Sequence, residues 1–501
     1  MIDSSVDIAV LGSGFGGSLM ALILQRIGRS VVLVDRDAHP RFAIGESSTP
    51  IADYILADLT DQYDLPRLKP LAKYGSWRST YPELGCGLKR GFSYFRHKSG
   101  RAFKTDRDHS NELLVAASNG NEFADTHWLR SDVDAFLADE VRSAGIEVLD
   151  NTSLTEVTRS DAWQLRGHRL DESVLIGARF VVDATGSAGL ISRVLGIGDD
   201  SRSLQTNSRA IFGHFSGVDE WGDVLAESDC DRQDHPFPCD AAALHHVLDD
   251  GWMWQLRFDS GITSVGFVFD GSQRPWNESV SAVDEWKQEL AKYPSIARQF
   301  RHAELAQPDG GLRSTGRMQR CSTQMAGPDW VLLPNTAGFV DPLHSTGIAH
   351  TLGGIERIAS IIEMHWSGPE LEFRLQQYAE EVRSEIHWID QLVEGCYASR
   401  QNFRAFAAWL MLYFAAATTC EHRRAECGQS ASWSFLCAED DRLTGAAFKL
   451  RSELDRALAD SPAAVAGFEA QVRRAIEPFN RVGLCEPKVR NMYHYTAAPT
   501  R

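Results

Sequence analysis

Residues 6–35 constrain the fold more than any other stretch of this chain. VDIAVL at 6–11 is the short apolar run of a strand buried in a parallel sheet. Gly12-x-Gly14-x-x-Gly17 follows as a tight turn, residues 18–28 (SLMALILQRIG) have helical spacing, and Val31–Asp35 reads as a second strand. Strand, turn, helix and strand within about 30 residues open a doubly wound α/β sheet. The first glycine permits the turn. The second lets backbone approach a pyrophosphate, and the third lets helix and strand pack closely. A pyrophosphate suits a helix N-terminus. Asp35, about 20 residues on, stands where a carboxylate accepts hydrogen bonds from an adenosine ribose. The unit predicts dinucleotide binding.

Further pieces of the same kind recur. WLRSDVDAFLADEVRSAGIEVL, from Trp128, reads as a helix running into a strand, and VVDATG at 181–186 as a strand and turn. Residues 330–356 give a strand, a Gly/Pro-rich loop and a helix. Between these pieces, segments such as GWMWQLRF (251–258) and TSVGFVF (263–269) are aromatic and β-branched, which predicts a mixed or antiparallel sheet forming a substrate layer. After about residue 361 the pattern is helical almost throughout.

Composition narrows the function classes. Lys plus Arg is 51 and Asp plus Glu is 68, a formal charge of −17, which argues against a general nucleic-acid binder. The nine cysteines (86, 230, 239, 321, 396, 420, 427, 437 and 485) are odd in number and lack CxxC spacing, so no metal site is expected and reduced, mostly buried thiols are. The N-terminal MIDSSVDIAVLGSG lacks the features of a signal peptide. The run Ala405–Ala417 (AFAAWLMLYFAAA) is too short for a membrane span and reads as a buried helix, so a cytoplasmic chain without stable membrane insertion is expected.

The turn alone does not separate FAD from NAD. Arg41-Phe-Ala-Ile-Gly-Glu-Ser47-Ser48-Thr49-Pro50, Asp183-Ala-Thr-Gly186 and Gly338-Phe-Val-Asp341-Pro342 together resemble the FAD-binding pattern of the flavoprotein monooxygenase and flavin-dependent halogenase superfamily, in order, over residues 1 to about 360. The resemblance implies FAD held by Gly12, Gly14, Phe15, Gly16, Gly17, Asp35, Arg36, Ser47, Ser48, Thr49, Asp183, Asn335, Asp341, Gly347 and Ile348, with Arg130 of LRSDVD approaching its phosphates.

Three segments resemble flavin-dependent halogenases in particular. Gly85-Cys-Gly-Leu-Lys89-Arg-Gly91 is similar to their GFxxKxG segment, which puts Lys89 on the catalytic lysine. Gly251-Trp252-Met-Trp254-Gln-Leu256-Arg257 resembles WxWxIP, with Leu256 and Arg257 in place of Ile and Pro; the two rings are implied to line the flavin side. Pro334-Asn335-Thr-Ala-Gly338-Phe-Val-Asp341-Pro342-Leu-His344-Ser345-Thr346-Gly347-Ile348 resembles GDAAGFxDPxxSxG, with Pro334-Asn335 replacing Gly-Asp. The resemblance places a halide at Pro342, Ser345, Thr346 and Gly347. Free N–H groups at a helix start do form an anion site. His344 stands where tryptophan halogenases carry a glutamate, which argues against free tryptophan; it is a candidate catalytic residue. The whole pattern is closest to halogenases of small phenols.

The fold expected is an α/β FAD-binding, glutathione-reductase-type domain (1–55, 125–200 and 311–360), a mixed β-sheet substrate domain (56–124 and 201–310) and a helical region (361–501). The resemblance implies FADH2, O2 and chloride or bromide as co-reactants, hypohalous acid made at the flavin, and delivery through Lys89 to an electron-rich aromatic. No second GxGxxG for NAD(P)H is evident, so a separate flavin reductase is the expected partner, for a monomer or homodimer. The alternatives are a hydroxylase or reductase of the same fold, and a non-catalytic FAD-binding protein.

Overall fold

A computed structural model of the chain describes residues 2–428 and 434–498. β1 (Ile2–Leu11), α1 (Phe15–Arg26) and β2 (Val31–Val34) form where the sequence places them. The helix starts at Phe15, three residues earlier than its apolar spacing predicts, so Gly16 and Gly17 lie in its first turn. A Cβ on Gly17 would stand 1.8 Å from the Gly12 carbonyl oxygen, and one on Gly12, where φ is +100°, would stand 2.6 Å from that of Ala184. Only glycine allows both approaches.

β1 pairs in parallel with β2 on one side and with Glu172–Asp183 on the other, and Leu11 is level with both Val34 and Asp183. Glu147–Leu149 extends the sheet beyond β2, and Trp330–Leu332 extends it beyond Glu172–Asp183, with Leu332 beside Asp183. The carboxyl ends of these strands therefore open along one edge, the place where open α/β sheets bind ligands.

The second sheet has nine strands. Gly251–Arg257 runs antiparallel to Ala243–Val247 and Thr263–Asp270, while Ala243–Val247 is parallel to Gly91–Arg96, so the sheet is mixed. Its far edge is Glu112–Ala116, covered by a short parallel strand, Met492–Tyr493, from beyond the helices. Helical spacing gave no hint of this return. A separate two-stranded ribbon pairs Cys86–Lys89 with Asp125–Trp128 and sets Lys89 opposite Asp125.

The helices Thr346–His365, Leu371–Ser399 and Phe403–Cys427 pack in succession over the site. The last contains the Ala405–Ala417 run. It is long and apolar enough to cross a membrane by length and composition, but 94% of its apolar window is buried inside the protein. Most of the cysteines are buried.

One buried ion pair fastens the first two of these helices. Glu385 is fully buried and accepts from Arg357 (Nη1 to Oε1 3.0 Å, Nη2 to Oε2 2.9 Å) and from the Phe435 amide at 2.7 Å, and it lies 2.9 Å from His350 Nε2. Burial opposes its ionisation, but the Arg357 charge and the His350 hydrogen bond outweigh that and hold the carboxyl down at about 2. An acid depressed on folding stabilises the fold above its unfolded pKa and loses that contribution as pH falls through the folded value. Thermal melting should therefore hold steady above about pH 4.5 and decline between there and about pH 2. In Glu385→Gln the step should be smaller. An acid limb identical to wild type would show that the pair contributes nothing.

Candidate active site

The open edge of the first sheet borders a cavity of about 540 Å³. Its wall gathers Phe15 of α1, the segment Ile44–Ser47, Arg130, Ser187, Trp254, Asn335 and the turn that carries Asp341, Pro342, Ser345, Thr346, Gly347 and Ile348. Residues spread over more than 300 positions thus meet at one concave site, as expected of FAD-type folds.

The turn glycines lie beneath this cavity. A Cβ on Gly14 would meet only Arg130 Nη2 (3.5 Å) and Asp134 Oδ2 (3.7 Å), so the space over the turn faces a guanidinium. Arg130 begins the Arg130–Ser143 helix and is chelated by Asp134 (Nε to Oδ1 2.9 Å, Nη2 to Oδ2 2.8 Å), with its Nη1 on the Ile44 and Gly45 carbonyls. The pair fixes the guanidinium beside α1, where Asp134 Oδ1 also accepts from the Phe15 amide at 3.1 Å.

Five expected cofactor contacts sit differently. Both oxygens of Asp35 are occupied, by Arg41 at 2.6 and 2.8 Å and by Ser13 N at 2.6 Å. Burial would raise its pKa, but the Arg41 pair and the Ser13 amide hold it near 2. Arg36 points to solvent beside Asp37. Asp183 is buried and accepts from the Thr185 and Ile191 amides; it shapes the turn that brings Ser187 to the wall without lining it. Ser48 is buried behind the wall, its hydroxyl donating to Asp53 at 2.9 Å. Thr49 precedes the Pro50–Gln62 helix with its hydroxyl buried and unpartnered.

The turn before Thr346 has the geometry of an anion site. Ser345 adopts φ +52° and reverses the chain into the Thr346–His365 helix without a side-chain cap, leaving the first-turn N–H groups turned to the cavity. A Cβ on Gly347 would have nothing within 4 Å. Asp341 beneath it accepts from Ser208 Oγ (2.6 Å) and Tyr397 OH (2.9 Å), and burial pushes it up to about 6. Trp254 lies against the cavity, whereas Trp252, two residues away on the same face, donates to Tyr397 OH at 3.1 Å. Arg257, which replaces the proline of the related motif, is bound to the Val218 and Asp219 carbonyls and is structural.

Lys89 lies on the other side of the wall. Ser47 lines the cavity, and the carbonyl of the next residue, Ser48, accepts a hydrogen bond from Lys89 Nζ. The amine is fully buried and sits 4.2 Å over the Phe92 ring. Burial pushes it down to about 8, against the opposing charges of Asp125, Asp53 and Glu421. Rings connect it to the flavin side: Phe92 stacks on His245, and His245 meets Trp252 at 5.3 Å.

Around Lys89 is a buried ionisable cluster that the sequence did not reveal. Asp53 pairs with Lys73 at 2.9 Å, Asp125 is 4.0 Å from Lys73, and Glu421 of the Phe403–Cys427 helix is buried nearby, pushed up to about 8 by burial. The only available signals were a charged residue at the end of the apolar helix and an aspartate opposite Lys89 across the ribbon. His344 is also fully buried and outside the cavity. It stacks on Tyr413 (centroids 4.3 Å, planes 7° apart), its Nδ1 lacks a partner, and burial pushes it down to about 3. Glu46 in the wall, bound to buried His214 at 2.7 Å, was likewise not anticipated.

A two-layer α/β fold with an anion turn facing its cavity and a buried lysine behind the wall is the arrangement that the resemblance to flavin-dependent halogenases implies. The chain belongs to the tryptophan halogenase family, whose profile matches residues 122–409. Tetracycline 7-halogenase of Kitasatospora aureofaciens is 26% identical over 408 residues, covering 80% of this chain and 71% of that protein. Monodechloroaminopyrrolnitrin halogenase PrnC of Pseudomonas fluorescens is 26% identical over 423 residues, covering 81% and 70%. Among solved structures, halogenase PltM in complex with phloroglucinol and FAD superimposes with a TM-score of 0.84 at 22% identity, covering 97% of this chain and 99% of that one. That likeness shows the fold.

Proposed function

We propose that the chain halogenates a small electron-rich aromatic, a phenol in particular, using reduced FAD, O2 and chloride or bromide, with Lys89 delivering the halogen. The observation that carries this reading is the buried amine one residue away from the flavin-sized cavity, joined to its wall through the Ser48 carbonyl. Phenol is favoured because a related fold has been solved with phloroglucinol and because His344 replaces a carboxylate.

The residues fit the cofactor. Gly12 and Gly17 let the turn close against its own backbone and that of Ala184, Gly14 leaves above it a cradle that a Cβ would enter, and the N-terminus of α1 with the Arg130 guanidinium faces that cradle as donors for a pyrophosphate. Gly14, Phe15 and Gly16 flank it. Ser47, Asn335, Asp341, Gly347 and Ile348 would hold the flavin end. Ser48 and Thr49 back that wall, Asp183 shapes the turn beside it, and Asp35 and Arg36 lie toward the ribose. When bound and reduced, the cofactor would activate O2, and O2 is the oxidant that takes halide to hypohalous acid. The backbone N–H groups of Thr346 and Gly347 hold the halide, and Pro342 and Ser345 set the turn. Trp254 and Trp252 close the flavin side to the aromatic substrate, and the buried walls exclude water.

Lys89 acts as the neutral amine. Its nitrogen takes the halogen from hypohalous acid, water leaves, and the halogen passes to a ring carbon whose proton must then be removed. His344 is the proton acceptor of this proposal; a phenol suits its low basicity because the hydroxyl already activates the ring. Electrons come from a separate flavin reductase. Among the described residues there is one turn of the dinucleotide type.

The test is a panel of phenol, pyrrole and indole with FADH2 and O2, with and without bromide, across about pH 6–9, read by mass. Bromide-dependent bromination of the phenol is expected, with the rate rising to about pH 8 and then levelling as Lys89 loses its proton. Added oxygen without halide would establish the hydroxylase instead. Flavin binding with no aromatic product would establish a non-catalytic flavoprotein. A rate that falls through pH 8 would overturn the neutral-amine role.

A further inference from the structure

We propose that His109, Glu112 and His235 bind a divalent transition-metal ion of the zinc type, at a site separate from the flavin cavity. Glu112 opens the Glu112–Ala116 strand and His109 precedes it by three residues, while His235 lies in the segment before Ala243–Val247. All three side chains are turned inward, at 4%, 0% and 5% exposure. One donor atom from each lies within 4.8 Å of the others.

The spacings are those of ligands. His235 Nε2 is 3.4 Å from Glu112 Oε2, and both atoms are buried without a hydrogen-bond partner. Two ligands bound at about 2.1 Å in a tetrahedron stand about 3.4 Å apart. His109 Nδ1 lies 2.5 Å from Glu112 Oε1, a hydrogen bond that must open by about 1 Å for both atoms to ligate. On binding, the proton of that hydrogen bond leaves, the neutral imidazoles of His109 and His235 join Glu112, and water completes the shell. Two imidazoles and one carboxylate suit zinc, cobalt or nickel over calcium or magnesium.

The surroundings orient these ligands. His109 Nε2 faces Asp234 Oδ2 at 3.4 Å, the outer carboxylate that commonly fixes a metal-bound imidazole. Arg490 holds Asp234 at 2.7 Å, and Thr105 donates to Glu112 Oε1. Arg490 also donates to the Arg107 carbonyl and Asn491 to that of His109, both just before Met492–Tyr493 joins the sheet. A metal here would clamp two distant segments at the sheet edge, with Arg490 of a third held to them through Asp234. Cysteine spacing carries no sign of this site, because its ligands are histidine and glutamate.

The experiment uses the full chain, stripped with chelator, supplied with zinc chloride and dialysed, with metal counted by mass spectrometry. Cobalt substitution is followed by visible absorption. Wild type should retain one zinc per chain, melt higher with zinc than without, and give the intense spectrum of tetrahedral cobalt. His235→Ala should lose all three while still binding FAD. Asp234→Asn, at an exposed position that does not endanger folding, should weaken zinc binding by about 10- to 100-fold. Wild type that holds no zinc after dialysis would overturn the proposal, as would retention of zinc by His235→Ala or unchanged affinity in Asp234→Asn.

Discussion

Replacing Lys89 with alanine should lower halogenation by about 100- to 10,000-fold, the range expected when a positioned proton-transfer or donor group is removed, while FAD stays bound. Lys89 does not line the flavin cavity, and its hydrogen bond reaches only the back of the wall through Ser48. Flavin fluorescence quenching should therefore be unchanged, and mass spectrometry should find no halogenated product. Alanine also leaves a void over Phe92, so Lys89→Met is the companion variant. It keeps the volume and the contact with the ring but carries no amine. Loss of product in both, with flavin retained, isolates the nitrogen. Wild-type halogenation in Lys89→Met would remove the amine from the mechanism.

Gly17→Ala should abolish flavin binding and destabilise the fold. The added methyl would stand 1.8 Å from the Gly12 carbonyl oxygen and 3.1 Å from Ala184 Cβ, and the nearer neighbour is backbone that cannot turn aside. The strand and helix must separate, which costs at least about 1–3 kcal/mol and opens the cradle. We expect affinity for FAD to fall by more than about 100-fold, or some 2.7 kcal/mol. Gly14→Ala provides the contrast, because its Cβ meets nothing nearer than Arg130 Nη2 at 3.5 Å. It should melt near wild type yet bind FAD less well, since the methyl occupies the face toward the pyrophosphate. Equal melting and equal affinity for Gly17→Ala and wild type would refute the close-packing argument.

Local features of the sequence translated well into structure. β1, α1 and β2 depend on apolar periodicity and on glycines within one short stretch, and the strand Gly251–Arg257 depends on alternation. The turn before Thr346 was legible because its signals are consecutive. Side-chain partnerships formed between distant segments were not. Nothing near Asp35 announces that the Ser13 amide, 22 residues earlier, binds its carboxylate, and nothing near Glu421 or Asp53 places them around Lys89. His344 was read from its place in a loop, but its environment is set by Tyr413 on a helix 69 residues later. The Met492–Tyr493 strand is too short to have a pattern of its own; its partner Glu112–Ala116 decides its conformation.

That last strand also sets an order of events at the ribosome. Thr496 bonds to the Ala116 carbonyl across 380 residues of chain, so the edge of the second sheet is open while everything between is being made. At typical elongation rates the delay is roughly 20–80 s. Throughout it, Glu112–Ala116 presents unpaired amides and carbonyls to any other nascent strand. Yield in a recombinant host should thus depend on translation rate and chaperone supply more than on the stability of the finished enzyme.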